Sequence, residues 1–193
     1  MVCGKPIYNN ADTTCASCKR SHIYFERNVS RYLYKGCIKD AIRNMKFKRR
    51  EWISFEFGKA MTETVNSYYG DIDFDMILYV PMTKLSEATR GFNQSYEIAS
   101  VISEKMKIPV GNNILNKKIN VRTQSGLSRK ERLLNVKDAF YVSNSEKLTD
   151  KVVLLIDDVY TTGATVNECA KVLKKSGALA VYTATVANTV FDE

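Results

Sequence analysis

The feature that most constrains this chain is the string VVLLIDDVYTTGAT at residues 152–165. It begins with five consecutive apolar residues, the pattern of a β-strand that is covered on both faces in a parallel sheet. An amphipathic helical pattern with Val166, Ala170 and Leu173 follows, and Ala180–Ala187 has the composition of another strand. Strand, helix and strand of these lengths predict a βαβ unit, and we expect its crossover to be right-handed.

Polar residues follow this first strand at the position where such sheets bind ligands. Asp157 and Asp158 come directly after the apolar run, and ligands of open α/β sheets lie beyond the carboxyl ends of the strands. Two adjacent carboxylates can accept hydrogen bonds from the vicinal hydroxyls of a ribose. The sequence therefore predicts a ribose site here.

The residues that lead into the helix are suited to a phosphate group. They are Thr161, Thr162, Gly163, Ala164 and Thr165. Backbone N–H groups at a helix N-terminus are unpaired and lie at the positive end of the helix dipole. Glycine allows close approach of the backbone, and threonine hydroxyls add donors. Ribose acceptors and a phosphate cradle this close together predict a site for a ribose 5-phosphate group.

Three alternatives compete with this interpretation. An apolar strand before two acidic residues also describes a Walker B segment, but the sequence has no G-x-x-x-x-G-K-[ST] upstream. It has no G-x-G-x-x-G motif either, which argues against a dinucleotide-binding fold. The third alternative is an ordinary strand-to-helix turn in which a threonine caps the helix.

The string at 152–165 resembles the phosphoribosyl-pyrophosphate (PRPP) signature of type I phosphoribosyltransferases. That signature has an apolar run, two acidic residues, two variable residues and T-T-G-x-T. The resemblance implies an α/β fold with a mostly parallel sheet flanked by helices. It also implies Mg²⁺-dependent transfer of ribose 5-phosphate from PRPP to a nitrogenous acceptor, with release of pyrophosphate. Asp157 and Asp158 would bind the ribose hydroxyls, and Thr161 to Thr165 would hold the 5-phosphate.

A second stretch, Arg90-Gly91-Phe92-Asn93-Gln94, resembles the R-G-F-N-Q motif of ComF-type competence proteins. Gln124, Arg132, Asn135 and Phe140 are similar to the Q…R…N…F pattern of the same group. That group is associated with DNA uptake. The resemblance therefore leaves two functions open: a phosphoribosyltransferase, and a non-catalytic protein of the same fold that binds single-stranded DNA.

Further PRPP contacts are expected at basic residues. Lys84 lies where the resemblance places a pyrophosphate loop, although a solvated turn lysine is the alternative. Arg90 is the stronger candidate, because arginine can bind phosphate oxygens bidentately; with the two aspartates it completes the predicted catalytic set. The resemblance places a lid over the active site at residues 117–138, where Arg132 is a further predicted PRPP ligand.

The first eighteen residues contain three of the five cysteines: Cys3, Cys15 and Cys18. The odd total and the lack of a secretory signal argue against a disulfide framework. Cys15-x-x-Cys18 is half of a zinc knuckle, and His22 could complete a site with three thiolates and one imidazole. A metal-free appendage is the alternative. We expect a cysteine-containing segment at 1–29 and a phosphoribosyltransferase-like domain at 30–193.

Apolar periodicity predicts the remaining elements. They are a helix with Ser30 as N-cap and Met45 near its end, a helix over Trp52–Tyr68, a strand at Met76–Val80, a loop at 81–92, a helix over Tyr96–Met106, and short strands near Ile114 and at Ala139–Val142. Cys37 and Cys169 fall on apolar helix faces and are expected in the core. The lack of a twenty-residue apolar run and of a signal peptide predicts a cytoplasmic protein without membrane insertion.

The formal net charge of +8 is unevenly distributed. Residues 13–50 contain eleven Lys or Arg against two acidic residues, which gives +9, and residues 115–137 contain seven against one, which gives +6. Such surfaces attract nucleic acid, nucleotides or polyphosphates. The alternative is that these basic residues form a solvated surface without a ligand. The sequence also leaves open whether the protein forms a homo-oligomer.

Overall fold

The computed structural model describes residues 2–4, 15–19, 22–48, 50–118 and 136–189. Its strands are β1 (Asn28–Leu33), β2 (Met76–Tyr79), β3 (Leu115–Lys117), β4 (Phe140–Val142), β5 (Val152–Tyr160) and β6 (Ala180–Asn188). Its helices are α1 (Ala16–Lys19), α2 (Gly36–Phe47), α3 (Trp52–Tyr69), α4 (Lys84–Arg90), α5 (Gln94–Met106) and α6 (Ala164–Lys175), with a 3₁₀ turn at Ser145–Leu148.

The central sheet is parallel and has the strand order β1-β6-β5-β2. Successive side chains of β5 point to opposite faces of the sheet. Leu154 and Ile156 join the core formed with α3 and α5, whereas Val153 and Leu155 join the core formed with α6. Because both faces are covered, the unbroken apolar run is explained, and the predicted α/β architecture is confirmed.

The predicted helix start at Ser30 is wrong. Residues Asn28–Leu33 form β1, which pairs with β6, and the helix begins only at Gly36. The Ser30 hydroxyl hydrogen-bonds to that of Thr185 on β6 at 2.6 Å. The helical spacing of Leu33 and Cys37 could not reveal this pairing, because the partner strand lies far along the chain. β1 spans the predicted boundary between residues 29 and 30, and the division into two domains stays a prediction.

The loop predicted at 81–92 is also wrong in part, since it contains α4. The Thr83 hydroxyl caps this helix by accepting a hydrogen bond from the Ser86 N–H at 3.2 Å. The helix ends at Gly91, which has a φ of 94°. None of its residues is buried. A helix without a buried face has no apolar periodicity, so the sequence pattern could not predict it.

Other predictions agree with the structure, with two differences. The helices at α3 and α5 and the strands at β2 and β6 are confirmed. β5 continues past Ile156 to Tyr160, so that the acidic pair lies inside the strand. Cys169 is buried as expected, but the prediction for Cys37 is wrong: it is exposed, because α2 buries Ile42 and Met45 instead. Among the described residues, no helix is both long enough and apolar enough to cross a bilayer.

Candidate functional site

The acidic pair lies near the end of β5 and is buried. Asp157 Oδ1 accepts hydrogen bonds from the Ser95 hydroxyl at 3.2 Å and from the Asp158 backbone N–H at 2.9 Å. Asp158 Oδ2 accepts one from Gln94 Nε2 at 2.6 Å and forms an ion pair with Lys46 Nζ, also at 2.6 Å. Each buried carboxylate therefore has partners, as buried charges require.

The R-G-F-N-Q stretch positions these partners. The Asn93 side chain caps α5 by accepting from the N–H groups of Ser95 and Tyr96, and its amide donates to the Val80 carbonyl at 3.3 Å. This arrangement fixes the start of α5 beside the end of β2. Gln94 is thereby held against the acidic pair.

Arg90 is connected to the acidic pair through Gln94. Its Nη1 donates to Gln94 Oε1 at 2.5 Å, and Gln94 in turn donates to Asp158. Burial lowers the pKa of Arg90, and the nearby Asp158 carboxylate opposes that shift. The guanidinium stays charged, because arginine does not deprotonate in proteins. The structure therefore brings Arg90 to the same site as the two predicted carboxylates.

The two carboxylates are electrostatically unequal. Burial, followed by the charge of Asp158, raises the pKa of Asp157 to about 7, although Lys46 and two hydrogen bonds act in the opposite direction. Burial lowers the pKa of Lys117 on β3. The nearby Asp157 carboxylate opposes this shift but is the smaller effect. Asp157 therefore retains its proton up to near-neutral pH.

Lys46 and Ser95 are functional candidates that sequence reasoning did not single out. Ser95 follows the R-G-F-N-Q motif directly, so the motif was the signal that could have led to it. Lys46 reaches the site from the last turn of α2. Within the basic stretch of residues 13–50, no local pattern distinguishes it from the other lysines.

The predicted phosphate cradle, residues 161–165, leads into the start of α6. Gly163 is the N-cap of this helix and has a left-handed backbone, with a φ of 78°. The Thr162 hydroxyl accepts from the Ala164 N–H at 3.3 Å. Asp157, Thr161, Gly163 and Thr165 line one small hollow. The ribose-binding and phosphate-binding residues predicted from the sequence thus meet in space.

Of the two remaining predicted PRPP ligands, the structure describes one. Lys84 is exposed at the first position of α4. Arg132, together with Gln124 and most of the predicted lid, lies outside the described residues. The roles of Lys84 and Arg132 stay predictions.

The three N-terminal cysteines form a cluster whose sulfur atoms all lie within 4.8 Å of one another. The Sγ atoms of Cys3 and Cys15 are 3.5 Å apart. Sulfur ligands about 2.3 Å from a tetrahedral zinc ion would be roughly 3.8 Å apart, so the geometry fits a metal. Burial and the neighbouring thiols raise the pKa of Cys18, which disfavours its thiolate unless a cation is bound.

His22 is not part of this cluster. Its side chain is exposed, and its ring centroid lies 4.5 Å from that of Tyr24. The metal fit therefore depends on the three sulfur atoms. His22 as a fourth ligand, and zinc itself, stay predictions.

Comparison with known proteins agrees with this geometry. Residues 88–190 match the family described as "Phosphoribosyl transferase domain". The chain belongs to this family. Competence protein F of Haemophilus influenzae is 30% identical over 167 residues, which are 84% of this chain and 73% of that protein. DNA utilization protein YhgH of Escherichia coli is 28% identical over 182 residues, which are 93% of this chain and 79% of that protein.

Among solved structures, a purine phosphoribosyltransferase from Pyrococcus horikoshii Ot3 is similar, with a TM-score of 0.42 and 17% identity. The similarity covers 72% of this chain and 85% of that one. The family match and the competence relative together confirm the resemblance to ComF-type phosphoribosyltransferases.

Proposed function

We propose that this phosphoribosyltransferase-family protein is an active enzyme, which transfers ribose 5-phosphate from PRPP to a nitrogenous acceptor and releases pyrophosphate. The observation that supports it is the hollow lined by Asp157 together with Thr161, Gly163 and Thr165. It combines acceptors for a diol with donors for a phosphate. An ordinary capped turn would not need two buried carboxylates beside it.

In this proposal, the acidic pair binds the ribose hydroxyls. Asp158 already accepts two donors through Oδ2, so its other oxygen is the one offered to a hydroxyl. Asp157 has to lose its proton to act as a full acceptor. A Mg²⁺ ion brought to the carboxylates by PRPP would favour that loss, because a nearby positive charge stabilises the charged form of an acid.

The start of α6 binds the 5-phosphate. The N–H groups of the first helical turn lie at the positive end of the helix dipole and would bind the phosphate oxygens, although the Ala164 N–H also donates to Thr162. Arg90, which donates to Gln94, would contact the pyrophosphate. As pyrophosphate departs, the ribose ring gains positive charge, and the adjacent carboxylates stabilise it electrostatically.

Mg²⁺ would arrive with PRPP and neutralise charge on the leaving pyrophosphate. Carboxylate and phosphate oxygens are the ligands that Mg²⁺ prefers. Within the described part of the site, the carboxylates of Asp157 and Asp158 are the groups of this type, which is a fit of donor chemistry.

The test is calorimetric titration of Mg²⁺–PRPP into the wild type, Asp157→Asn and Asp158→Asn. Asp75→Asn is the matched control, because Asp75 pairs with Lys151 outside the hollow. We expect the first two substitutions to weaken binding about tenfold or more, since hydrogen bonds to charged groups contribute roughly 1.5–3 kcal/mol. The control should bind like the wild type. Absence of heat at millimolar PRPP would reject the proposal.

Turnover is tested separately by measuring pyrophosphate release with a panel of nucleobases and amines. A protein that binds PRPP and releases no pyrophosphate with any acceptor would be a binding module. Binding and catalysis are thereby distinguished.

A second candidate function is single-stranded DNA binding, and a specific surface favours it. The side chains of Phe47 and Trp52 are 67% and 64% exposed; Phe47 lies within the basic run 46–50, and Trp52 follows it in the sequence. Exposed aromatic rings beside basic residues are the usual platform for unpaired bases. The relative named a DNA utilization protein points in the same direction.

This function is tested by the fluorescence anisotropy of labelled oligo(dT) over a series of salt concentrations. Affinity should fall steeply with salt. Phe47→Ala and Trp52→Ala should each weaken it several-fold, whereas Phe55→Ala, at another exposed phenylalanine on α3, should not. Salt-independent binding would argue against this function. We propose that the protein acts in the reducing cytoplasm, where disulfides are rare.

A further inference from the structure

Tyr160 lies between the phosphate cradle and the cysteine cluster. It is the last residue of β5 and only 3% exposed. Its phenol packs directly against Gly163, since a Cβ added to that glycine would lie 2.5 Å from Tyr160 Cζ and closer still to the hydroxyl oxygen. The Tyr160 ring therefore packs against the backbone of the cradle at Gly163.

The other side of the Tyr160 ring faces the N-terminal segment. Tyr160, Cys3 and Phe25 belong to one buried core, against which Cys15 and Cys18 also pack. The Phe25 ring meets the Tyr160 ring edge-on, with centroids 6.3 Å apart. The three thiols are near enough to raise the pKa of the phenol further, after burial itself.

Hydrogen bonds connect the same segment to β1, to β6 and to α6. The Cys3 carbonyl accepts from Asn28 Nδ2 at 3.1 Å and from Asn188 Nδ2 at 3.0 Å, and Asn188 is the partner of Tyr160 in the β5–β6 ladder. Asn167, in the first turn of α6, accepts from the Tyr24 N–H at 2.8 Å and donates to the His22 carbonyl at 2.9 Å. Movement of the cysteine segment would therefore act on the cradle.

The described part of the cysteine segment contains a short helix, α1, of four residues. Helices shorter than about 12 residues are marginal in water. Its position must come from packing or from a cross-link among the three sulfurs. A metal ion is such a cross-link, and its binding energy becomes folding energy for the segment.

We propose that Tyr160 is a positioning residue through which a metal ion on Cys3, Cys15 and Cys18 shapes the phosphate cradle. With the ion bound, the cysteine segment holds the phenol against Gly163. Without it, the phenol loses that support, and the turn from Thr161 to Thr165 opens more often. Only the effect on ligand affinity rests on the proposed function; the effect on the turn does not.

The first test uses the protein without any phosphate ligand. Hydrogen exchange of the backbone amides of residues 161–165 is compared for zinc-loaded protein, protein treated with a chelator, and protein reloaded with Zn²⁺. We expect exchange about tenfold faster after zinc removal and restored by reloading. The strand Met76–Tyr79 is the internal reference and should not change.

Tyr160→Phe is the decisive variant, because it keeps the ring but lacks the hydroxyl that reaches Gly163. In this variant, the exchange of residues 161–165 should be fast with or without zinc. Tyr182→Phe is the matched control, since Tyr182 lies on the neighbouring strand β6 and packs into the opposite core. It should keep the response of the wild type.

The second test measures the affinity for ribose 5-phosphate by calorimetry, without Mg²⁺. Zinc removal should weaken it about tenfold in the wild type and leave it unchanged in Tyr160→Phe. If ribose 5-phosphate binds neither form, the proposed function fails, while the exchange measurement still decides the role of Tyr160.

Several results would overturn the inference. The inference is wrong if the protein binds no zinc, or if the exchange of residues 161–165 does not change when zinc is removed. It is also wrong if Tyr160→Phe responds to zinc removal as the wild type does. If zinc removal also accelerates exchange in Met76–Tyr79, the metal holds the whole fold together, and a specific link to the cradle is refuted.

Discussion

Replacement of Gly163 by alanine tests the construction of the cradle, because two separate penalties can be read from the structure. The first is conformational: the φ of Gly163 is 78°, and a left-handed backbone costs a residue with a Cβ about 1–2 kcal/mol. The second is steric, because the new methyl group would collide with the phenol of Tyr160. Overpacking of this kind costs about 1–3 kcal/mol. Gly163→Ala should therefore lower the free energy of unfolding by roughly 2–5 kcal/mol.

Gly91→Ala provides the matched control. Its φ is 94°, so the backbone penalty is the same, but a Cβ there would meet no atom within 4 Å. We expect a loss of only about 1–2 kcal/mol. Urea denaturation of both variants and the wild type gives the difference, which isolates the collision with Tyr160. Equal losses in the two variants would refute the close contact between Tyr160 and Gly163.

Two further predictions concern the acidic pair. The raised pKa of Asp157 means that the folded protein keeps a proton up to about pH 7, whereas an unfolded aspartate releases it near pH 4. The contribution of Asp157 to stability is therefore complete below about pH 4 and declines as the pH rises to about 7. Urea denaturation across this range should show that the free energy of unfolding falls less steeply with pH in Asp157→Asn than in the wild type. Identical slopes in the two proteins would contradict the raised pKa of Asp157. Lys46→Met should cost roughly 2–3 kcal/mol by leaving Asp158 without its ion-pair partner, less than for a fully buried pair because Lys46 is 22% exposed. Lys59→Met, which breaks an exposed pair, should cost at most about 0.5 kcal/mol, and equal losses in the two lysine variants would contradict the role given to Lys46.

The half of the fold that contains β5, α6 and β6 was predictable because its signals are local. An apolar run, two acidic residues and a glycine at a helix start are contiguous in the sequence, and the physics of parallel sheets fixes how they meet. The cradle residues follow directly from this pattern. The start of α5 was also accessible through the R-G-F-N-Q motif.

The remainder depended on information that no local pattern contains. Ser30 can cap a helix, but in the structure it lies in β1, because this segment pairs with the distant strand β6. The helix α4 buries nothing, so its residues show no periodicity. Lys46 reaches Asp158 from a basic stretch in which every lysine is equivalent until the chain is folded.

The strand order has a consequence for the synthesis of this protein. β5 and β6 occupy the middle of the sheet but come last among the described strands, and β1 pairs only with β6. On the ribosome, β1 therefore has no partner until almost all of the described chain has been made. Pairing over such sequence distances is slow and leaves strand edges open to other chains. Nascent chains of this protein should consequently depend on chaperones until β6 emerges.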